Sequence, residues 1–310
     1  MKKISTSEYL TIRGLRYHIR HWGGNSHPKL FLLHGWMDVS ASFQFVVDEL
    51  TKDWHVIAPD WRGFGYSEWT KNDCYWFSDY LADLEAILNH YAHAEAINLV
   101  GHSMGGNITL LYGGIRAQRI RRLINLEGFG MLPSRAEQAP SHYAQWLDDL
   151  NRGKTMRSYD DLDQVIERLQ KNNPRLSSNK ARFLAEHWAR TNADGKWEIL
   201  GDPAHKIINP ILYRLEEAQA CWANISAPVL HVEALQTEMQ TWLSKNGSKA
   251  PSMDSFRQRF DVIPIRYDFF INNAGHMVHH DQPKQVAQLI EDFCSDAYSQ
   301  LFSEHRHISI

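Results

Sequence analysis

Gly101-His102-Ser103-Met104-Gly105 is the stretch whose residue types and spacing could do chemistry. Before it runs Ala96-Ile97-Asn98-Leu99-Val100, an apolar segment that reads as a buried strand, and after it Gly106 to Tyr112 reads as a helix. A serine on a sharp strand-to-helix turn needs small residues on both sides, so that its hydroxyl stands clear of the backbone as a nucleophile. The competing reading is a tight strand–helix turn with an inert serine.

A serine nucleophile needs a base to take its proton and a carboxylate to orient that base. The base is expected to be His276, in Asn273-Ala274-Gly275-His276-Met277. It follows a strand-like run, Arg266 to Asn272, and precedes a helix in which Val286, Leu289, Ile290 and Phe293 repeat at i, i+3, i+4, i+7. The chain has 17 histidines, and two nearby rivals, His279 and His280, are expected to be solvated at the helix entrance. Acyl transfer also needs two backbone N–H donors for the developing oxyanion. One would come from Met104. The other would come from Trp36, where the strand Lys29 to Leu33 ends in His34-Gly35-Trp36.

His34-Gly35-Trp36, then Pro59-Asp60-Trp61-Arg62-Gly63-Phe64-Gly65-Tyr66-Ser67, then Gly101 to Gly106, then Gly275-His276 resemble the α/β-hydrolase superfamily in order and spacing. The resemblance covers about 1–130 and 223–300. It implies a mostly parallel sheet with helices on both faces, and it is far less specific for the reaction than for the fold. The family's usual catalytic aspartate follows the strand at 228–232. Here that stretch is Glu233-Ala234-Leu235-Gln236-Thr237-Glu238, with Thr237 at the usual place, and threonine cannot orient a histidine by charge. Two alternatives stay open. Glu127, at the end of the preceding strand, matches a second location that some members use. Glu238, one position beyond the usual one, is the other. Asp60 and Arg62 are read as a structural turn in which Gly63 and Gly65 take angles that other residues avoid.

The elements that must position these residues alternate. Residues 8–22 read as a hairpin turning at Arg13-Gly14, and strands at 54–58 and 121–126 flank helices at 41–50 and 79–91. From Met131 to Trp222 the periodicity is helical with no clear strand, which the resemblance makes a lid or cap. The expected organisation is therefore a core of 1–130 and 223–310 with a helical cap insertion at 131–222. Trp146, Trp188, Trp197 and Trp222 fall in that insertion, where they either line an apolar pocket or hold the helices together. The last eight residues are expected to fray.

The 310 residues are 43% apolar, enough for a sizeable core, with a net charge of −3 and no basic block of the nucleic-acid-binding kind. Cys74, Cys221 and Cys294 are far apart and match no metal spacing. No signal peptide and no bilayer-long apolar stretch is read. A cytoplasmic enzyme acting on a small molecule is expected, with no metal or organic cofactor, no nucleic-acid or membrane partner, and an open oligomeric state. The resemblance implies a serine hydrolase of carboxylesterase type acting on an ester, lactone or thioester-like bond. The dehalogenase and epoxide-hydrolase branches use an aspartate nucleophile, so Ser103 argues against both. The alternatives are a non-catalytic ligand-binding or receptor-type protein and a cofactor-free perhydrolase.

Overall fold

A computed structural model describes residues 2–70, 73–244 and 252–305. Its strands are β1 (Ser5–Ile12), β2 (Leu15–Trp22), β3 (Lys29–Leu33), β4 (His55–Pro59), β5 (Ile97–His102), β6 (Ile120–Leu126), β7 (Ser158–Tyr159), β8 (Ala189–Thr191), β9 (Trp197–Ile199), β10 (Val229–Ala234) and β11 (Arg266–Ile271). Eight of them form one sheet in the order β1-β2-β4-β3-β5-β6-β10-β11. From β4 to β11 every neighbouring pair is parallel, and only the β1–β2 hairpin and its junction with β4 are antiparallel. The mostly parallel sheet expected from the alternation is thus present.

The reason Leu30, Phe31, Leu32 and Leu33 can all be apolar is that both faces of the sheet are covered. Successive side chains of a strand point to opposite faces. Phe31 and Leu33 enter one apolar cluster with Leu84, Ile87 and Leu88 of α2 (Phe77–Ala92) and Ile108 of α3 (Met104–Ile115). Leu30 and Leu32 enter the other, with Val46 and Val47 of the one-and-a-half-turn helix α1 (Gln44–Glu49). Val286, Leu289, Ile290 and Phe293 bury the predicted face of the helix Pro283–Phe293 in that second cluster.

Between β6 and β10 lie α4 (Ala139–Arg152), α5 (Leu162–Asn172), α6 (Ser178–Trp188) and α7 (Leu215–Ala223). The expectation of no strand here needs correction, because β7, β9 and β8 form a small antiparallel sheet. They have only two or three residues each, too few for alternation to register. The tryptophans divide by role. Trp188 joins Val165, Ile166, Ala181 and Leu184 in an apolar cluster that also takes in Val39 and Ala41 from the loop after β3, with Trp197 packed against it. Trp222, on α7, packs instead into the cluster under the main sheet. These side chains hold elements together.

The inserted segment crosses the carboxyl ends of the strands. Trp188 Nε1 donates to the Met37 carbonyl after β3 (2.6 Å). After β4, Gly65 N–H donates to the Leu200 carbonyl and Asp202 N–H to that of Gly63, both at 2.8 Å. The His205 ring is stacked between Phe64 and Tyr75, at 3.7 and 3.6 Å between centroids. Beyond β10 come α8 (Met239–Ser244), α9 (Met253–Gln258), α10 (Val278–Asp281) and α11 (Pro283–Phe293). Of the tail expected to fray, Ser303–His305 forms a 3-10 turn, and residues 306–310 lie outside the described residues. No helix among the described residues is long and apolar enough to cross a membrane.

Candidate active site

Ser103 stands between β5 and α3 with φ 53° and ψ −115°, a conformation that non-glycine residues rarely adopt. The flanking sequence makes this turn possible. A methyl group on Gly105 would lie 2.2 Å from the Leu33 carbonyl oxygen, so only glycine lets α3 start this close to β3. Ser103 N–H donates to the Leu126 carbonyl (2.8 Å), which ties the turn to the end of β6.

His276 follows β11 on the loop that leads into α10. Its Nε2 lies 2.9 Å from Ser103 Oγ, and its Nδ1 lies 3.1 Å from Glu127 Oε2. Glu127 follows β6, which pairs in parallel with both β5 and β10, so all three carboxyl ends open on one place. Glu127 also has a positive φ, 57°. Asn125 fixes that turn, accepting the Gly128 N–H (3.1 Å) and donating to the Gly128 carbonyl (2.7 Å).

The Glu127 carboxylate is buried and well supplied with donors. Ala234 N–H donates to Oε1 (2.6 Å) and the Thr237 hydroxyl to Oε2 (2.5 Å). Burial pushes its carboxyl above the ordinary range, while His276, Thr237 and the Ala234 N–H pull the other way by favouring the ionised form. Thr237, at the position where the resemblance places an aspartate, thus donates to the carboxylate that faces His276.

Glu238 does not reach the imidazole. Its Oε2 accepts the backbone N–H of His276 (3.0 Å), and its Oε1 accepts from Arg175 in the inserted segment (3.2 Å). Of the two acids left open by the sequence, Glu127 is the one on the ring and Glu238 the one on the chain behind it. Arg175 also donates to the Gln236 side chain (2.9 Å), so one residue of the insertion grips the loop after β10 twice.

Met104 is the first residue of α3, where N–H groups have no carbonyl one turn earlier to bond. The loop carrying Trp36 lies against the serine: a methyl on Gly35 would sit 3.2 Å from Ser103 Cβ. The Trp36 side chain is 53% exposed, so its indole is not part of the packing that sets this loop. Asp60 and Arg62 belong to the turn after β4, as expected. Asp60 accepts from His18 (2.7 Å) and from the N–H groups of Ser40 and Tyr66, and Arg62 pairs with buried Asp83. Gly63 and Gly65 have φ of 77° and 56°.

The expectation that His279 and His280 are solvated is wrong. They are 0% and 4% exposed, because α10 packs on the 40–45 segment. Both Nε2 atoms reach Ser42 Oγ (2.9 and 2.5 Å), and the rings lie against Phe43 and Phe45. A contact between residues more than 230 positions apart leaves no local trace in the sequence. Trp242, not singled out by sequence, sets its ring edge-on to His276 at 4.9 Å. Its stretch had no periodic pattern to mark it. His102, inside the serine motif, donates from Nε2 to the His276 carbonyl (2.8 Å).

Known proteins resemble this chain over most of its length. A serine hydrolase-like protein of Danio rerio is 25% identical over 280 residues, covering 88% of this chain and 83% of that one. A 3-hydroxybutyrate-oligomer hydrolase of Cupriavidus necator is 26% identical over 245 residues, covering 73% of this chain and 78% of that one. Among solved structures, the thioesterase domain from the curacin biosynthetic pathway superposes with a TM-score of 0.81 at 21% identity, covering 93% of this chain and 99% of that one, which speaks for the fold alone. The alpha/beta hydrolase fold family matches residues 28–283, and the chain belongs to that family.

Proposed function

We propose that the protein is a serine hydrolase that cleaves an ester, lactone or thioester-like bond of a small, partly apolar substrate through an acyl-enzyme. The observation that carries this reading is the continuous hydrogen-bonded line Ser103–His276–Glu127, at 2.9 and 3.1 Å. Ser103 Oγ attacks the carbonyl carbon as His276 Nε2 takes its proton. Glu127 holds the Nδ1–H tautomer and stabilises the imidazolium that forms. The N–H groups of Met104 and Trp36 receive the developing oxyanion. His276 returns the proton to the leaving group. Water, activated by the same imidazole, then releases the acid.

The inserted segment and Trp242 keep bulk water from the imidazole, which strengthens each of these interactions. The exposed side chains of Trp36, on the loop beside Ser103, and of Trp242, edge-on to His276, give the site an apolar rim. That rim supports a substrate with an apolar acyl or alcohol part. The curated relatives include hydrolases, and the oligomer hydrolase acts, by its name, on 3-hydroxybutyrate oligomers.

The test is a series of p-nitrophenyl esters of increasing chain length, run with wild type and Ser103→Ala, alongside labelling by a fluorophosphonate probe. The serine variant should keep its fold, lose the label and lose ester hydrolysis by several orders of magnitude. A variant that hydrolyses the esters as fast as wild type would exclude the serine mechanism. A wild type that neither labels nor turns over any ester would favour the non-catalytic ligand-binding alternative.

A further inference from the structure

Directly behind the serine lies a second group of polar side chains that the proposed mechanism does not use. Asp38, His102 and His279 are all buried, and each offers one ligand atom such that the three lie within 4.8 Å of one another. They come from three parts of the chain, the loop after β3, the end of β5 and α10. The fold assembles them, and nothing in local sequence does.

The hydrogen bonds fix where the lone pairs are. His102 Nε2 faces the His276 carbonyl, which can only accept, so Nε2 carries the proton and Nδ1 the lone pair. Ser42 spends its single hydroxyl proton on Asp38 Oδ2 (2.8 Å). Its oxygen therefore accepts from His279 Nε2 (2.9 Å) and from His280 Nε2, which leaves Nδ1 as the ring nitrogen of His279 not engaged by Ser42. Neither Nδ1 has a hydrogen-bond partner among the described residues. Asp38 adds a carboxylate whose other oxygen is held by the Val39 N–H (2.9 Å). An imidazole that donates one N–H to a carbonyl or hydroxyl and keeps the other nitrogen bare has the outer-shell arrangement found around metal-bound histidines.

We propose that Asp38, His102 and His279 form a buried site for a first-row transition ion such as Zn²⁺ or Co²⁺, and that filling it inhibits the hydrolase. Two imidazoles and a carboxylate are a donor set suited to these ions, with a fourth position left for water. The inhibition follows from geometry. Ligands at about 2.0–2.1 Å around a tetrahedral ion stand roughly 3.4 Å apart, so loading imposes that spacing and a common orientation on the three groups. His102 precedes the serine and holds the His276 carbonyl, so its movement disturbs both partners of the 2.9 Å Ser103–His276 contact. Metal binding itself is independent of the hydrolase reading. Only the inhibition rests on it.

The experiment separates the two. Purified protein, stripped with chelator, is titrated with Co²⁺ while visible absorption is followed, and with Zn²⁺ while heat and ester turnover are followed. Wild type should bind one equivalent of Co²⁺ with the intense ligand-field bands of a low-coordinate site. Turnover should fall as Zn²⁺ reaches one equivalent and recover with chelator. Asp38→Asn and His279→Gln should each weaken Co²⁺ binding at least tenfold and raise the half-inhibiting Zn²⁺ concentration in parallel. No Co²⁺ bands in wild type would overturn the site, leaving a pocket for buried water. Equal Zn²⁺ sensitivity in wild type and both variants would overturn it as well, by placing the inhibitory ion on other histidines, His276 foremost. Co²⁺ binding that both variants lose, in a protein without ester turnover, would uphold the site and fail the hydrolase reading alone.

Discussion

The buried charges along the carboxyl edge of the main sheet and the surface ion pairs of the segment inserted between β6 and β10 are held in opposite ways. Glu127 and Asp60 at the sheet edge, and Asp83 on α2 facing the turn after β4, are almost wholly buried, and each has several partners. In the insertion, Lys196–Asp160 and Arg182–Asp163 are exposed on both sides. Buried charges are costly to strand, so their partners must be fixed, whereas exposed pairs contribute little and are screened. The sheet edge is therefore the rigid part that chemistry requires. The insertion touches it through Trp188 on Met37, Leu200 and Asp202 on the turn after β4, and Arg175, which reaches Glu238 and, through it, the backbone of His276.

The sharpest way to break this contrast is to remove one charge from each region. Asp83→Asn removes the buried carboxylate that Arg62 Nε and the Tyr17 hydroxyl share, leaving Arg62 only the partly exposed Asp79. It should cost about 3–5 kcal/mol of stability in chemical denaturation. Lys196→Ala should leave the denaturation midpoint almost where it is, because an exposed pair is screened by solvent. Comparable losses from the two would refute the contrast.

The junction between the regions should respond in an intermediate way. Glu238→Gln and Arg175→Ala leave the His276 ring, Ser103 and Glu127 in place and loosen only the support behind the ring. Each should lower kcat by roughly tenfold, since losing one charge-assisted hydrogen bond amounts to about 1.5 kcal/mol, with little change in KM. If Glu238→Gln were as damaging as loss of Glu127, Glu238 would be acting on the imidazole itself. Arg175→Ala with a raised KM and unchanged kcat would instead confine Arg175 to substrate binding.

The smallest effect concerns pH. Burial lowers His205, in the insertion, and His231, in the sheet, to about 3. An unfolded histidine titrates near 6.5, so between about 6.5 and 3 the unfolded chain binds protons that the folded chain refuses. Stability therefore falls as pH drops through that window, by up to about 1.4 kcal/mol per pH unit for each such group. His205→Phe keeps an aromatic ring between Phe64 and Tyr75 and removes one titration. The slope of denaturation free energy against pH between 6 and 4 should flatten by close to one proton, and an unchanged slope would show that His205 protonates freely in the fold.

Much of this was legible in sequence because the signals were local. The elbow needs small residues beside Ser103, α11 needs its four apolar positions, and the β3 run needs two covered faces. The candidate acid was harder. Thr237 marked what was missing, yet only the parallel pairing of β6 with both β5 and β10 brings Glu127 to His276. His279 and His280 looked solvated because their burial depends on Ser42, Phe43 and Phe45, far away in the chain. The strands of the insertion were too short for a period of two to be visible.

The central claim is that Ser103 is the nucleophile and that Glu127, not a residue near 237, orients its base. The most direct test is the rate at which an activated short-chain ester acylates the protein, read as adduct mass on the peptide containing Ser103, in wild type and in Glu127→Gln. The claim predicts an adduct on Ser103 in wild type, formed about 10³–10⁴-fold more slowly in Glu127→Gln, by analogy with acid-to-amide changes in other triads. Acylation of Ser103 at the wild-type rate in Glu127→Gln, or an adduct on any other residue, would contradict it.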